Sequence, residues 1–285
     1  MQNNNEEVFD IIFLGLAQNC EIFLENFFIK IDEISKKKKI KVFIGENGSN
    51  DYTFDLIHKK ISTSKIYNFI DTTFIEKYND RIKRLALARQ ALKDNLINLK
   101  IKSKYVCVID LDDVINESFN INLIEKLIFN LNEKGEKYFA VSLSSKPFYY
   151  DILNFESKEF PNKDIKKLQN NKSINSYNKR REYIYKPQKL ISKKKIFECV
   201  SGFNGLCLYL YEDYITSSYH EEKDDQTPEH LLFNRYLSKK LNKKILVTDN
   251  YFRMPKEHKP LSNIYQFMFE KIIKYINIYY RKLID

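Results

Sequence analysis

The stretch Tyr105-Val106-Cys107-Val108-Ile109-Asp110-Leu111-Asp112-Asp113 decides the reading of this chain. Five apolar residues, two of them Val and one Ile, predict a strand buried on both faces, as in the middle of a parallel sheet. The strand runs straight into three acidic residues, which repel one another and lose solvation at the end of a buried element unless something compensates them. A helix cap or a solvated turn is the plain reading of such a triplet. The other reading is chemical. In open α/β sheets ligands bind beyond the carboxyl ends of the strands, where two carboxylates suit a hard cation such as Mg²⁺ or Mn²⁺ bridging them to a diphosphate.

Outward from that strand, short apolar runs alternate with amphipathic stretches, the pattern of strands covered by helices. Strands are expected at Val8–Leu14, Ile40–Ile44 and Ile66–Ile70, and helices at Glu21–Ile34, Thr53–Ile61 and Arg81–Leu99. The second half is less regular, with a helix at Ile121–Glu133 and strands at Tyr138–Leu143, Phe203–Tyr211 and Lys244–Thr248. A further helix runs over Pro228–Leu241, its start marked by Thr227-Pro228. Between them, Glu156–Lys195 carries 13 Lys/Arg against 4 Asp/Glu and is expected to be a mobile basic loop. The fold class that follows is α/β: a mixed, Rossmann-like sheet flanked by helices, with a basic insertion and a C-terminal helical tail. One domain is expected over 1–261, with a ligand-binding half at 1–116, a second half at 117–261 and a tail at 262–285.

Composition excludes other classes. The chain has 285 residues, 43% hydrophobic and 30% charged, with a net charge of +10, so it is globular rather than fibrous or disordered. No apolar run approaches the roughly 20 residues that span a bilayer, and Met1–Glu7 is polar and acidic, so neither a transmembrane nor a secreted protein is expected. Cys20, Cys107, Cys199 and Cys207 form no CxxC pair and sit mostly in apolar runs, which suits buried thiols in a reducing cytoplasm.

Two more features carry polar chemistry. The turn Glu46-Asn47-Gly48-Ser49-Asn50-Asp51 follows a strand, although turn formers with Asp51 as a cap explain it too. Arg84 and Arg89 lie on the helix before the acidic strand end, where arginines serve either solvent or a diphosphate.

The order of these pieces, FLGLAQNCEIFLENF (13–27), VFIGENGSND (42–51), RLALARQAL (84–92) and YVCVIDLDDV (105–114), resembles the nucleotide-sugar-binding half of GT-A fold glycosyltransferases over residues 8–116. It is most similar to the enzymes of bacterial capsule and lipopolysaccharide synthesis, and more distantly to the fungal capsule α-mannosyltransferase family. SGFNGLCLY (201–209) and PEHLLFNRYL (228–237) look like the acceptor-side glycine segment and helix of such enzymes. The resemblance implies that Ala17, Asn19, Glu46 and Asp51 face the base and ribose, with Arg84, Arg89, Asp110 and Leu111 also on the nucleotide-sugar. Gln90 stands where the family's Asn follows that arginine. Asp110 and Asp112 match the DxD pair that holds Mn²⁺ or Mg²⁺, with His258 as a further ligand and His230 competing for that role. Glu229 is the expected catalytic carboxylate, with Asp224 and Asp225 as alternatives, and Gly202, Gly205 and His230 lie toward the sugar and acceptor. Glu229 in the first turn of a helix also suits the helix dipole, and either glycine also suits a bulge.

The expected partners are a nucleotide-diphosphate sugar and a glycan or lipid-linked acceptor. The basic, Tyr-rich stretch Ile264–Ile284 suits peripheral contact with an anionic membrane from the cytoplasmic side, or packing on the domain. A basic nucleic-acid-binding protein is the competing reading, motivated by the charge, but no nucleic-acid-binding motif is present and the acidic triplet opposes phosphate. A sugar nucleotidyltransferase should show a basic, glycine-rich loop after the first strand, and Gly15-Leu16-Ala17-Gln18-Asn19 has one glycine and no cation.

Overall fold

The computed structural model describes residues 7–112, 118–134, 136–162, 174–219, 227–255 and 258–260, with 265 and 272 singly. Parallel strands β1 (Val8–Ala17), β2 (Ile40–Glu46), β3 (Tyr67–Asp71) and β4 (Lys102–Asp110) alternate with helices α1 (Glu21–Ser35), α2 (Thr53–Thr63) and α3 (Arg81–Asn98). After α4 (Ile121–Lys134) and β5 (Tyr138–Lys146) come β6 (Phe155–Glu156), β7 (Phe197–Cys199), β8 (Ser201–Gly202) and β9 (Leu206–Leu210). The helix Glu229–Leu241 and β10 (Lys244–Arg253) follow. One eight-stranded mixed sheet runs in the order β3-β2-β1-β4-β9-β5-β10-β7, and β6 pairs with β8 beside it. Strand β9 is antiparallel to both β4 and β5.

Successive residues of the central strands feed two cores. Ile11, Phe13, Cys107 and Ile109 pack with Leu24, Phe27, Ile31, Ile57 and Leu127 of α1, α2 and α4 on one face. Ile12, Leu14, Val106 and Val108 pack with Leu92 and Leu96 of α3 and with Phe233 and Leu237 on the other. Each fully buried side chain of this size stabilises by about 1.5–3 kcal/mol relative to exposure. That two-sided burial is why Tyr105–Ile109 is apolar without alternation. The four cysteines are buried free thiols.

The basic tract departs from the expected loop. Its described part contains a continuous helical stretch over residues 174–191 with a π-helical middle at Arg181–Tyr185. Tyr177, Ile184 and Ile191, seven residues apart, are buried, and Gln188 donates to the Tyr149 and Tyr150 carbonyls. The lysines sit on the other faces of an amphipathic helix, a pattern that charge counting masks. Residues 163–173 of the tract lie outside the described residues, as do Asp113, Asp224, Asp225 and all of the expected C-terminal helix except 265 and 272. Among the described residues, no helix is long and apolar enough to cross a membrane.

Candidate functional site

Strands β3, β2 and β1 are added in one direction and β4 in the other, so the sheet order reverses between β1 and β4. Such a switch point opens a crevice at the carboxyl ends of the strands. Here it holds a cavity of about 920 Å³, lined by Leu16, Ala17 and Gln18 at the carboxyl end of β1 and by Asp110, Leu111 and Asp112 at that of β4. From α3, Arg81, Arg84, Leu85 and Ala88 line one wall, the i, i+3, i+4, i+7 stripe of a single helix face. The Glu229–Leu241 helix brings Glu229 and His230, and the segment after β5 brings Asp151 and Asn154.

Arg89 is the centre of the site. Its side chain is 6% exposed, and its Nη2 donates to Asp110 Oδ1 at 2.9 Å while its Nε donates to Glu229 Oε1 at 3.2 Å. Burial alone would lower the guanidinium pKa, but the two carboxylates outweigh it and hold Arg89 firmly cationic. Among the described residues Nη1, also buried, has no hydrogen-bond partner. Asp110 is pushed up to about 7 by burial and by the charges of Asp112 and Glu229, against the pull of Arg89. Its backbone N–H donates to the Gly205 carbonyl at 2.9 Å, where Gly205 turns into β9 at φ +79°. Leu111 is buried against Gly15 of β1, where a Cβ would stand 2.7 Å from Leu111 Cγ, so close packing fixes the two flanking carboxylates.

His230 is 1% exposed and stacks on Phe203 with ring centroids 3.7 Å apart and planes 14° from parallel. Burial, and then the Arg89 charge, push its pKa well down, so the ring is neutral. Among the described residues neither ring nitrogen has a hydrogen-bond partner, and Nε2 stands 3.8 Å from Glu229 Oε1.

The structure therefore gathers Ala17, Arg84, Arg89, Asp110, Leu111, Asp112, Glu229, His230 and His258 around one cavity. It does not bring Asn19, Glu46 or Asp51 to the lining; these build a clasp between the loops after β1 and β2. Glu46 accepts from the Gly48 and Ser49 N–H groups, Asp51 from Glu21 and Thr53, and Asn19 Oδ1 from Asn50. Gly202 lies in β8 for packing, since a Cβ there would meet Cys199 Sγ at 2.6 Å. Asp151 was not foreseen. Its carboxylate accepts from the Asn154 N–H and Nδ2, and burial pushes it up to about 8, with Asp110 and Glu229 adding to the rise. The same strand-end rule that pointed to β4 would have found it, since the segment it stands on follows β5.

As for a metal, Asp110 and Asp112 offer hard oxygen donors, and His258 lines the same cavity. Among the described residues no three His, Cys, Asp or Glu side chains form a ligand cluster. A Mg²⁺-like ion held by one or two carboxylates and completed by substrate phosphates and water needs no such cluster, so the donor set fits.

The sequence matches no protein-family model and no curated protein. Among solved structures, the chain is similar to S. aureus TarS 1–349, with 12% identity over 86% of this chain and 60% of that one, at a TM-score of 0.46. It is similar to a Pyrobaculum calidifontis mannosyltransferase in complex with GDP-Man and Mn²⁺, with 11% identity over 88% and 58% and a TM-score of 0.48. A third is glucosyl-3-phosphoglycerate synthase of M. tuberculosis, with 13% identity over 90% and 75% and a TM-score of 0.47. The chain spans about three fifths of the length of the first two. At these values the likeness carries nothing about ligand or reaction.

Proposed function

We propose that this chain is a glycosyltransferase that moves a sugar from a nucleotide-diphosphate donor to a hydroxyl of a glycan or lipid-linked acceptor, in surface polysaccharide synthesis. One observation carries the proposal: Asp110-Leu111-Asp112 opens at the β1/β4 switch point into a cavity shared with Arg89 and Glu229. A nucleic-acid reading leaves that acidic strand end without a role. Peripheral action at the cytoplasmic face of a membrane is part of the proposal and rests on the sequence of 262–285 alone.

In this reading Asp112, on the exposed side of the strand end, and Asp110 hold Mn²⁺ or Mg²⁺, with His258 as candidate third ligand. The ion would supply positive charge to the diphosphate leaving group. The protein's own residues do the rest. Arg89 locks the Asp110 carboxylate to the helix that carries Glu229, so the strand end and the acceptor-side wall keep one geometry. Apolar Leu111 and Phe203 limit water in the cavity. Glu229, at the first turn of its helix, presents the carboxylate proposed to act on the acceptor or the reacting sugar.

The test is a thermal-shift screen of UDP, GDP, CDP, CMP and ADP, each with and without Mn²⁺, because a ligand bound only to the folded state raises stability by mass action. A metal-dependent shift with one nucleoside diphosphate is expected, lost in Asp112→Ala. Glu229→Gln should keep that shift while transfer falls by about 100-fold or more. Absence of any nucleotide shift, together with oligonucleotide binding that weakens steeply with salt, refutes the proposal.

A further inference from the structure

One carboxylate on the cavity wall has no part in the proposed reaction. Asp151 stands after β5, half-buried, and lines the same cavity as Asp110 and Glu229. The charges of both act on it, and among the described residues no cation pairs with it. Its bond from the Asn154 N–H caps the short turn 152–154, a task that a neutral Asn or Ser performs as well. A third acid beside two others, drawn out of water without a cation, costs stability, and such departures from local preference concentrate at functional sites. The surroundings hold it in place. Its backbone N–H donates to Asn204 Oδ1 at 2.9 Å, and the fully buried Asn204 donates onward to the Leu143 carbonyl and to Ser145 Oγ. The Asn154 N–H and Nδ2 each donate to one carboxylate oxygen, at 3.3 and 2.8 Å. An ionised carboxyl offers about four acceptor positions, and among the described residues it receives these two bonds alone. Asn154 also reaches the neighbouring wall, where its Oδ1 accepts from the Leu231 N–H at 3.1 Å. Leu231 is the third residue of the Glu229–Leu241 helix, whose N-cap Pro228 has no side-chain acceptor, so Asn154 supplies the missing cap. One buried amide thereby fixes Asp151 relative to the turn that carries Glu229 and His230. The His230 ring nitrogens, buried on that wall and without a partner among the described residues, leave further hydrogen-bonding capacity for a polar ligand.

We propose that Asp151 determines sugar specificity, its carboxyl bonding to a hydroxyl of the sugar being transferred, with Asn154 as the residue that positions it. The inference rests on the glycosyltransferase reading and names the contact by which the donor's sugar is read. Its place in the cavity selects the sugar. Asp151 lies within the charge fields of Asp110, at the diphosphate end in that reading, and of Glu229, at the reacting centre, and the part of the donor between those two is the sugar. A site built to bond one hydroxyl rejects a sugar that lacks it, because a buried polar group is then left unpaired. Groups locked by a surrounding hydrogen-bond shell, as Asn154 and Asn204 lock Asp151, give such a contact its precision.

The test is calorimetric titration of the full chain with Mn²⁺ and UDP, GDP, CDP or ADP, and with the glucose, galactose and mannose conjugates of each. The conjugate that binds is then compared with its 2-, 3-, 4- and 6-deoxy forms, on the parent and on Asp151→Ala, Asp151→Asn and Asn154→Ser, whose folding is checked by circular dichroism. One deoxy form should bind the parent about tenfold more weakly than the intact conjugate. In Asp151→Ala the same deletion should cost less than about twofold, because its partner is gone, while affinity for the bare nucleoside diphosphate stays within about twofold of the parent. Asp151→Asn keeps the cap of the turn and carries the same comparison if the Ala variant does not fold; it and Asn154→Ser should lose part of the discrimination at that one hydroxyl. The inference is overturned if no deoxy form weakens binding to the parent, if the deletion costs as much in the Asp151 variants as in the parent, or if nucleoside diphosphate affinity falls as far as that of the conjugate. A parent that binds none of the nucleotides or conjugates ends the glycosyltransferase reading and this inference with it, whereas unchanged hydroxyl discrimination in variants that bind normally ends this inference alone.

Discussion

Replacing Arg89 with Met removes the charge that holds two carboxylates together while keeping most of the side-chain volume. Arg89 is 6% exposed, Glu229 4% and Asp110 22%, so water compensates little of the loss. Breaking a buried pair from one side costs about 3–5 kcal/mol because a charge is left without its partner. For a chain of this length that lowers the melting temperature by about 5–8 °C. The pH dependence sharpens the test. Asp110 already lies near 7 in the folded chain against an ordinary 3.8, so between those values the folded state holds a proton that the unfolded state has lost. Stability therefore falls as pH rises through that window. Without Arg89 the Asp110 anion loses its stabilising partner, the window extends upward, and the deficit of Arg89→Met grows from pH 5 to pH 8.5. Arg89→Lys restores the charge but not the two-pronged donor, and should recover part of the deficit. The assay is thermal unfolding by circular dichroism across that pH range. A variant as stable as the parent at pH 8.5, or a deficit larger at pH 5 than at pH 8.5, refutes the account of Arg89 as the clamp.

Two further substitutions probe the walls of the cavity. His230→Phe keeps a ring to stack on Phe203 and removes two buried nitrogens that have no partner among the described residues. It should raise stability by about 1–3 kcal/mol, read as the urea midpoint, and a lowered midpoint shows that the nitrogens are satisfied after all. Gly15→Ala puts a Cβ into the space of Leu111. It should cost about 1–3 kcal/mol and, by shifting Asp110 and Asp112, weaken metal-dependent nucleotide binding as measured by thermal shift; unchanged binding would show that Leu111 does not position them.

Much of the sheet was legible because its strands are buried on both faces. Runs such as VFDIIFL and YVCVID announce themselves without any pairing information, and only their ends moved, β1 extending to Ala17 and β10 to Arg253. The strand-end acids were legible for the same reason, as polar residues placed where an apolar run stops. The basic tract misled because three buried residues seven apart are a weak signal beneath 13 cations. Glu46 and Asp51 are a different case: carboxylates near a ligand crevice look alike in sequence whether or not they also satisfy backbone N–H groups, and only the structure shows that both do. What the sequence determined by itself was local: which segments bury both faces, where they stop, and that an acidic pair sits at one stop. The tertiary structure alone decided that Arg89 lies between Asp110 and Glu229, 140 residues away from the latter along the chain, and that Asp151 and Arg180 share their cavity. Those contacts come from the strand order and from α3 packing beside the Glu229–Leu241 helix, and no local pattern of residues encodes a distance across the sheet.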